Sequence, residues 1–184
     1  GVPCNWRTLD GDSKTDRAWA DVYRSFDVLS PWSVGRYADE AGADNFAKSR
    51  VAPDFNELSR LGIDYMPVVF PGFSWRNLNN GPLNQVPRRG GRFLWRQVYD
   101  AVSAKCTMLY CAMFDEVDEG TAIFKLVADK QDLPTQCQDR LVYLNIDGEK
   151  LPSDWYLRVV DQGGKMLRGE IAVTSKLPIT PGRA

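Results

Sequence analysis

The chain has 184 residues, of which 43% are hydrophobic, with 23 basic against 24 acidic side chains for a net charge of -1. That composition supports one domain with a sizeable core and excludes a disordered or fibrous chain, and the balanced charge removes the electrostatic basis for nucleic acid or an anionic membrane as the main partner. With no histidine, and with four cysteines (Cys4, Cys106, Cys111, Cys137) that form no CxxC pair, zinc and His-based triads are excluded, no metal or other cofactor is expected, and carboxylate chemistry remains.

In chain order, Val2 to Trp6 reads as the end of a strand. Thr15 to Phe26 reads as a helix with Trp19, Val22, Tyr23 and Phe26 at helical spacing behind the cap-like Ser13 and Thr15. Val28 to Tyr37 reads as a strand running into a loop. A helix is predicted over Ala52 to Leu61, started near Pro53 and stopped by Gly62, just before the apolar run "YMPVVF", Tyr65 to Phe70, which reads as a strand. A long loop follows, and then an amphipathic helix over Arg92 to Ala104 carrying Phe93, Trp95, Val98, Tyr99 and Val102. Met108 to Phe114 is the next strand, "LVYLNID" (Leu141 to Asp147) another, and a last helix lies near Ser153 to Gly169. Trp19, Trp95 and Trp155 fall in helical patterns and are assigned to packing; Cys106 and Cys111 are assigned as buried thiols. No apolar run approaches the roughly 18 to 20 residues that span a bilayer.

Strand followed by helix, about five times over, predicts a parallel sheet wrapped by helices. A complete (β/α)8 barrel takes about 250 residues. The expectation is therefore a single α/β domain over residues 1–184 of the TIM-barrel type, the chain forming about the C-terminal half to two-thirds of the barrel, with the N-terminal strands missing. The unusual residues are concentrated after the strands, in "PCNWRTLDGD", "SPWSVGRYADE", "FPGFSWRNLNNG" and "MFDEVDEGT". In a barrel these segments converge on the face that carries the catalytic groups. The last of them places Asp115, Glu116, Asp118 and Glu119 within a few positions of each other. Acids that close either face water harmlessly or disturb one another's ionisation, and their position after a buried strand favours the second reading.

The segments "GVPCNWRTL", "PWSVGRY", "PVVFPGFSWRNL", "PRRGGRFLWRQ" and "AMFDEVDEGTAIFK" resemble those of bacterial glycoside hydrolases of the family 71/99-like group, related to endo-α-mannosidases and to bacterial xylosidase/arabinosidase-type proteins. The most specific element is the acidic motif: family 99 enzymes carry N-E-W-H-E-G-T, and "DEVDEGT" keeps both glutamates and the Gly-Thr. The resemblance implies that Glu116 is the first catalytic glutamate and Glu119 the second. It also implies hydrolysis with retention through the substrate's own 2-hydroxyl: Glu116 acts as base on that hydroxyl, and Glu119 protonates the leaving group and then activates water. Asp115 stands where Asn is usual and Val117-Asp118 where Trp-His is usual, so the subsite walls differ.

The implied substrate is a neutral glycan, α-mannan-like or containing xylose or arabinose, and the implied setting is polysaccharide degradation outside the cytoplasm of a bacterium: periplasmic, surface-attached or secreted. Trp32 and Trp75 suit sugar stacking, with core packing as the alternative. Arg7, Arg36 and Arg76 either hold substrate or keep acids ionised. Trp6, Tyr37, Asn77, Asp115 and Asp118 complete the expected substrate-binding set. The open sheet edges call for an upstream part of the same barrel or a second chain. The alternative function is a non-catalytic carbohydrate-binding relative, because many relatives have histidine near Asn5 and Arg76 and this chain has none.

Overall fold

The computed structural model describes residues 1–182. Its centre is the segment from Asp64 to Val69, which is hydrogen-bonded on both sides. The strand β1 (Val28–Leu29) pairs in parallel with β2 (Asp64–Tyr65), and β3 (Val68–Val69) pairs in parallel with β4 (Tyr110–Cys111). Val2 adds a parallel bridge to Pro31 on the outer side of β1. The order across the wall is therefore Val2, β1, β2/β3, β4, which is the order of the chain, and helices fill the connections. Sequential parallel neighbours joined by helical crossovers are the arrangement of a (β/α) barrel wall.

Proline sets the shape of this wall. Pro67 lies between β2 and β3; its carbonyl accepts from Tyr110 N–H at 3.0 Å, but it has no N–H to return, so the predicted strand Tyr65 to Phe70 appears as two short pairings. Pro3 likewise follows the Val2 bridge, and the chain turns at once, with Trp6 N–H donating to the Pro3 carbonyl at 3.2 Å. The expected strand Val2 to Trp6 is thus a single bridge.

The helices are α1 (Ala18–Arg24), α2 (Glu40–Phe46), α3 (Ala52–Leu61), α4 (Arg76–Asn79), α5 (Arg92–Ser103) and α6 (Trp155–Leu167). Three expectations change here. First, α1 is shorter than predicted, and Asp16 rather than Ser13 or Thr15 accepts from its first turn, at Ala18 N–H, 2.9 Å. Second, a helix begins far upstream of Pro53. Asp39 caps α2 by accepting from Gly42 N–H at 2.7 Å, and α2 runs through a π-helical stretch, Ala47–Val51, directly into α3. Proline inside a helix leaves the carbonyl four residues back without its donor. Here that is Ser49, whose carbonyl accepts from Arg7 Nη2 at 3.4 Å, and the widened π turn lies where Pro53 has to be accommodated. Third, "LVYLNID" is not a strand. Leu144 and Asn145 donate to the carbonyls of Val127 and Ala128, and the segment closes as a 3-10 turn over Leu144–Asp147 ahead of a left-handed Gly148. Asn145 also spends its side chain on Asp129 and on Leu151 N–H, local bonds that compete with a ladder. The wall among the described residues therefore has four members and not about five.

Trp95 and Trp155 are fully buried as expected, in the layer where α5 meets α6 with Leu94, Val98, Tyr156 and Val159. Trp19 departs from the prediction: it is 38% exposed, and with Val22 on α1 and Phe26 just beyond its end it forms an uncovered apolar stripe. Cys106 is buried and Cys111 partly so.

The side chain of Gln97 on α5 holds the wall to its helices. Its Oε1 accepts from Phe70 N–H and from Tyr37 OH, both at 3.0 Å, and its Nε2 donates to the carbonyls of Phe70 (2.8 Å) and Phe93 (3.0 Å). Phe70 is the first residue beyond β3, fully buried, so its backbone leaves the sheet inside the core with this amide as its partner. Replacing Gln97 by Leu leaves the Phe70 N–H and C=O unpaired in the interior. The expected loss is at least about 2 kcal/mol of unfolding free energy, measured by urea titration; a loss below about 0.5 kcal/mol contradicts this role.

Candidate active site

The loops that follow the four wall segments are joined to one another in order. Asp12 in the first loop accepts from the backbone N–H of Cys4 and of Asn5, each at 3.0 Å, and pairs with Arg36 of the second. Gly35 in the second loop, in the left-handed region at φ +76, lies against Trp75 of the third, where a Cβ would sit 3.3 Å from the indole. The third loop then meets the acidic loop twice. Ser74 N–H donates to the Glu119 carbonyl at 2.7 Å, and Asn77 Nδ2 donates to the Asp118 carbonyl at 2.6 Å.

The acidic loop is built on a tight reversal. The Glu116 carbonyl accepts from Thr121 N–H (3.2 Å) and Ala122 N–H (3.0 Å), and the Phe114 carbonyl from Ile123 and Phe124 N–H. The fully buried Thr121 also donates its hydroxyl to Glu116 Oε2 at 2.6 Å, so the first glutamate is held as an acceptor. Glu119 differs. Partial burial, then the neighbouring charges of Glu116 and Asp118, push its carboxyl above the ordinary range. Two half-buried glutamates, three residues apart, thus stand in unlike surroundings at the end of β4.

The other predicted residues divide into several groups. Trp6 is fully buried, its indole N–H bonded to Asp54 at 3.1 Å, so it presents no face to a ligand. Arg7 is committed to the same carboxylate at 2.7 Å, and burial pushes Asp54 up to about 6 against these bonds. Tyr37 is packed among Phe46, Phe70 and Phe93 with its hydroxyl on Gln97. Asn77 is a clamp, donating to the Asp118 and Arg140 carbonyls and accepting from Arg140 N–H at 2.9 Å. These four serve the scaffold of the face. Trp32 is exposed, its ring 6.4 Å from Tyr110, and Trp75 is half-buried edge-on to Phe73 at 4.7 Å. Arg76 opens α4 on the surface, and Asp115 and Asp118 are exposed beside the glutamates.

Sequence reasoning assigned no role to Ser74, nor to the Thr121 of the Gly-Thr that the acidic motif keeps; each acts through a hydrogen bond to a particular partner, which the chain alone does not show. It also missed Phe114, which is 59% exposed directly ahead of the acids. The apolar run, which continues three residues past the last ladder partner Cys111, was the available signal. A cavity of about 470 Å³, lined by Leu83 and by residues including Lys130, Arg140 and Tyr143, adjoins the acidic loop through the Asn77–Arg140 clamp; neither glutamate lines it. Among the described residues no group of three or more Cys, Asp or Glu side chains is arranged to hold a metal ion, and no helix is long and apolar enough to cross a membrane.

No family model matches the chain, and no curated protein matches it. Solved structures do. The GH99 endo-alpha-mannosidase from Bacteroides thetaiotaomicron matches with a TM-score of 0.58 at 17% identity, over 78% of this chain and 39% of the enzyme. The same enzyme in complex with bis-tris-propane matches with a TM-score of 0.59 at 18% identity, over 79% of this chain and 41% of the enzyme. This chain thus spans about two-fifths of the length of the enzyme it resembles. The likeness expected from the motifs is borne out as a likeness of fold: the chain folds as a part of a (β/α)8 barrel similar to that of a GH99 endo-alpha-mannosidase.

Proposed function

We propose that this chain carries the catalytic face of a glycoside hydrolase that cleaves a neutral glycan, α-mannan-like or containing xylose or arabinose, with Glu116 and Glu119 as its two working carboxyls. The observation that carries this reading is the asymmetry of the pair. Glu116 receives the Thr121 hydroxyl at 2.6 Å, while Glu119 is displaced upward by burial and by its acidic neighbours. Glycoside cleavage needs one carboxylate that accepts a proton and one carboxyl that keeps a proton for the departing oxygen, and environments that push two acids apart divide those roles.

In the first step Glu116 takes the proton of the substrate's 2-hydroxyl and that oxygen closes on the anomeric carbon. The bond to the leaving oxygen breaks as Glu119 delivers its proton. In the second step Glu119, now ionised, draws a proton from water as the water opens the anhydro ring at the anomeric carbon, and Glu116 returns the proton to the 2-oxygen. Configuration is retained by two inversions. Trp32, Trp75 and Arg76, with Asp115 and Asp118, are the candidates for substrate contact on this face. The setting we propose for this chemistry is extracytoplasmic, in a bacterium degrading polysaccharide.

A second reading, a glycan-binding relative without turnover, is favoured by the absence of histidine from the chain. A panel of aryl glycosides and polysaccharides separates the two, since affinity without turnover belongs only to the second. Glu119→Gln is expected to lower the rate on poor leaving groups by at least about 10²-fold and to spare good ones in the first step, whereas Glu116→Gln lowers it for both. An unchanged rate in Glu119→Gln removes it from the mechanism.

A titration tests the pair without substrate. The Glu119 side chain, followed by NMR, is expected to have its midpoint above the ordinary 4.5, and Glu116→Gln is expected to move it down because a neighbouring negative charge is removed. An upward move contradicts the coupling.

We also propose that the apolar stripe Trp19, Val22 and Phe26 and the outer side of the Val2 bridge are covered by an adjoining strand-helix unit of the same barrel. Sheet edges and apolar helix faces of this kind are costly to leave in water. Residues 1–184 alone are then expected to bind a hydrophobic dye while folded; a folded monomer that binds none overturns the proposal.

A further inference from the structure

Arg88 belongs to the "PRRGGRF" segment between α4 and α5 and lies outside the acidic loop in sequence, yet its side chain ends there. It is 2% exposed, and its Nη2 donates to the Gly120 carbonyl at 2.8 Å. The guanidinium carbon lies 4.6 Å from the centroid of the Tyr156 ring on α6. Its Nε and Nη1 are buried without a partner among the described residues, as is the Tyr156 hydroxyl. Asp147, an acid in reach of its field, is already occupied by Asn84 Nδ2 at 2.7 Å and Arg89 N–H at 2.9 Å. A buried cation with two of its three nitrogens unpaired is a poor choice for stability, and an apolar side chain of similar volume would serve packing better. What arginine supplies here and an apolar residue does not is the charge-assisted bond to the Gly120 carbonyl, together with the stacking of its guanidinium on the Tyr156 ring.

That carbonyl is a critical point of the loop. Gly120 is in the left-handed region at φ +70, with Val142 only 2.9 Å from where a Cβ would lie. The peptide on one side of it is held by Ser74, which binds the Glu119 carbonyl, and the peptide on the other by Arg88. Next comes Thr121, which binds the Glu116 carboxylate. Gly72 completes the arrangement from the opposite side, since a Cβ there would come within 2.7 Å of Arg88 Cγ.

We infer that Arg88 is a positioning residue: through the Gly120 carbonyl it fixes the backbone that follows Glu119, and so sets the placement of Glu119 relative to Glu116. The inference rests on the reading of these two glutamates as the working pair. Arg88 touches no reacting atom; it holds the Gly120–Thr121 peptide, one residue beyond Glu119 and at the Thr121 to which Glu116 is bonded.

The test compares Arg88→Met and Arg88→Lys with the unmodified protein by melting, by amide exchange over residues 116–121, and by kcat and KM on whichever glycoside the protein turns over. Arg88→Met is expected to melt cooperatively, to exchange faster in that loop, and to lose about 10 to 100-fold in kcat with KM little changed, because small misplacements of an acid act on the transition state. Arg88→Lys, which can still donate to the carbonyl, is expected to fall between. Loop exchange and kcat both as in the unmodified protein overturn the inference, as does a loss of kcat that only follows the loss of folded protein. If Arg88→Met does not fold, Arg88→Lys decides alone: lowered kcat at an unchanged melting temperature supports the role, and unchanged kcat removes it. If no glycoside is turned over, the glycosidase reading fails, and exchange still judges the clamp: faster exchange confined to residues 116–121 supports it, and a uniform or absent change overturns it.

Discussion

The backbone at Phe70 has to leave the sheet in the middle of the apolar core, and everything on the strand-end face depends on how that is made possible. A peptide group buried without partners costs as much as several ordinary contacts return. The Gln97 amide meets the demand by filling both its acceptor and donor positions with Phe70, Phe93 and Tyr37. Because Gln97 is on α5, the helix and the strand end move as one body. Phe73, Ser74 and Trp75, only a few residues further on, inherit that rigidity, and Ser74 passes it to the acidic loop through the Glu119 carbonyl.

Two sets of acids in this protein differ in what offsets their charge. Asp12, Asp54 and Asp147 are surrounded by N–H donors: two backbone amides and Arg36, the Trp6 indole and Arg7, and Asn84 with the Arg89 amide. Their donors are satisfied in turn, and they join segments distant in sequence. Among the described residues, the acids of "DEVDEGT" have no comparable set of donors. Glu116 has one hydroxyl, and Glu119 has the charges of its neighbours acting against its ionisation. A structural acid is worth its place when its donors surround it; an acid left to its neighbours is free to exchange a proton.

The same division sorts the basic and aromatic residues of the face. Arg36 and Arg88 are spent on binding one loop to another and Arg7 on binding the first loop to α3, and Trp6 and Tyr37 on the packing beneath them. Trp32 and Phe114 are left exposed, and Trp75 half so, around the acids.

Much of this was determined by the sequence alone. Helical spacing in Arg92–Ser103 and Trp155–Leu167, the apolar runs at 65–70 and 108–114, and the strand-helix alternation are properties of neighbouring residues, so the barrel class and the acidic loop at a strand end could be read directly. Tertiary structure decided what depends on distant partners. Pro53 lies within a long helix and does not start one, because a π turn makes room for it and Arg7 takes up the carbonyl it strands. The run Leu141–Asp147 reads as a strand from its apolar residues, but the side chains of Asn145 and Asp147 found local and cross-loop partners that outweighed a ladder. Trp6 and Trp32 lie in similar Trp-containing loops, yet one is sealed against Asp54 and the other stands in water. Residue type determines what a side chain is able to do; which of those things it does is determined by the groups that folding brings within about 3 Å of it, and those are not its neighbours in the chain.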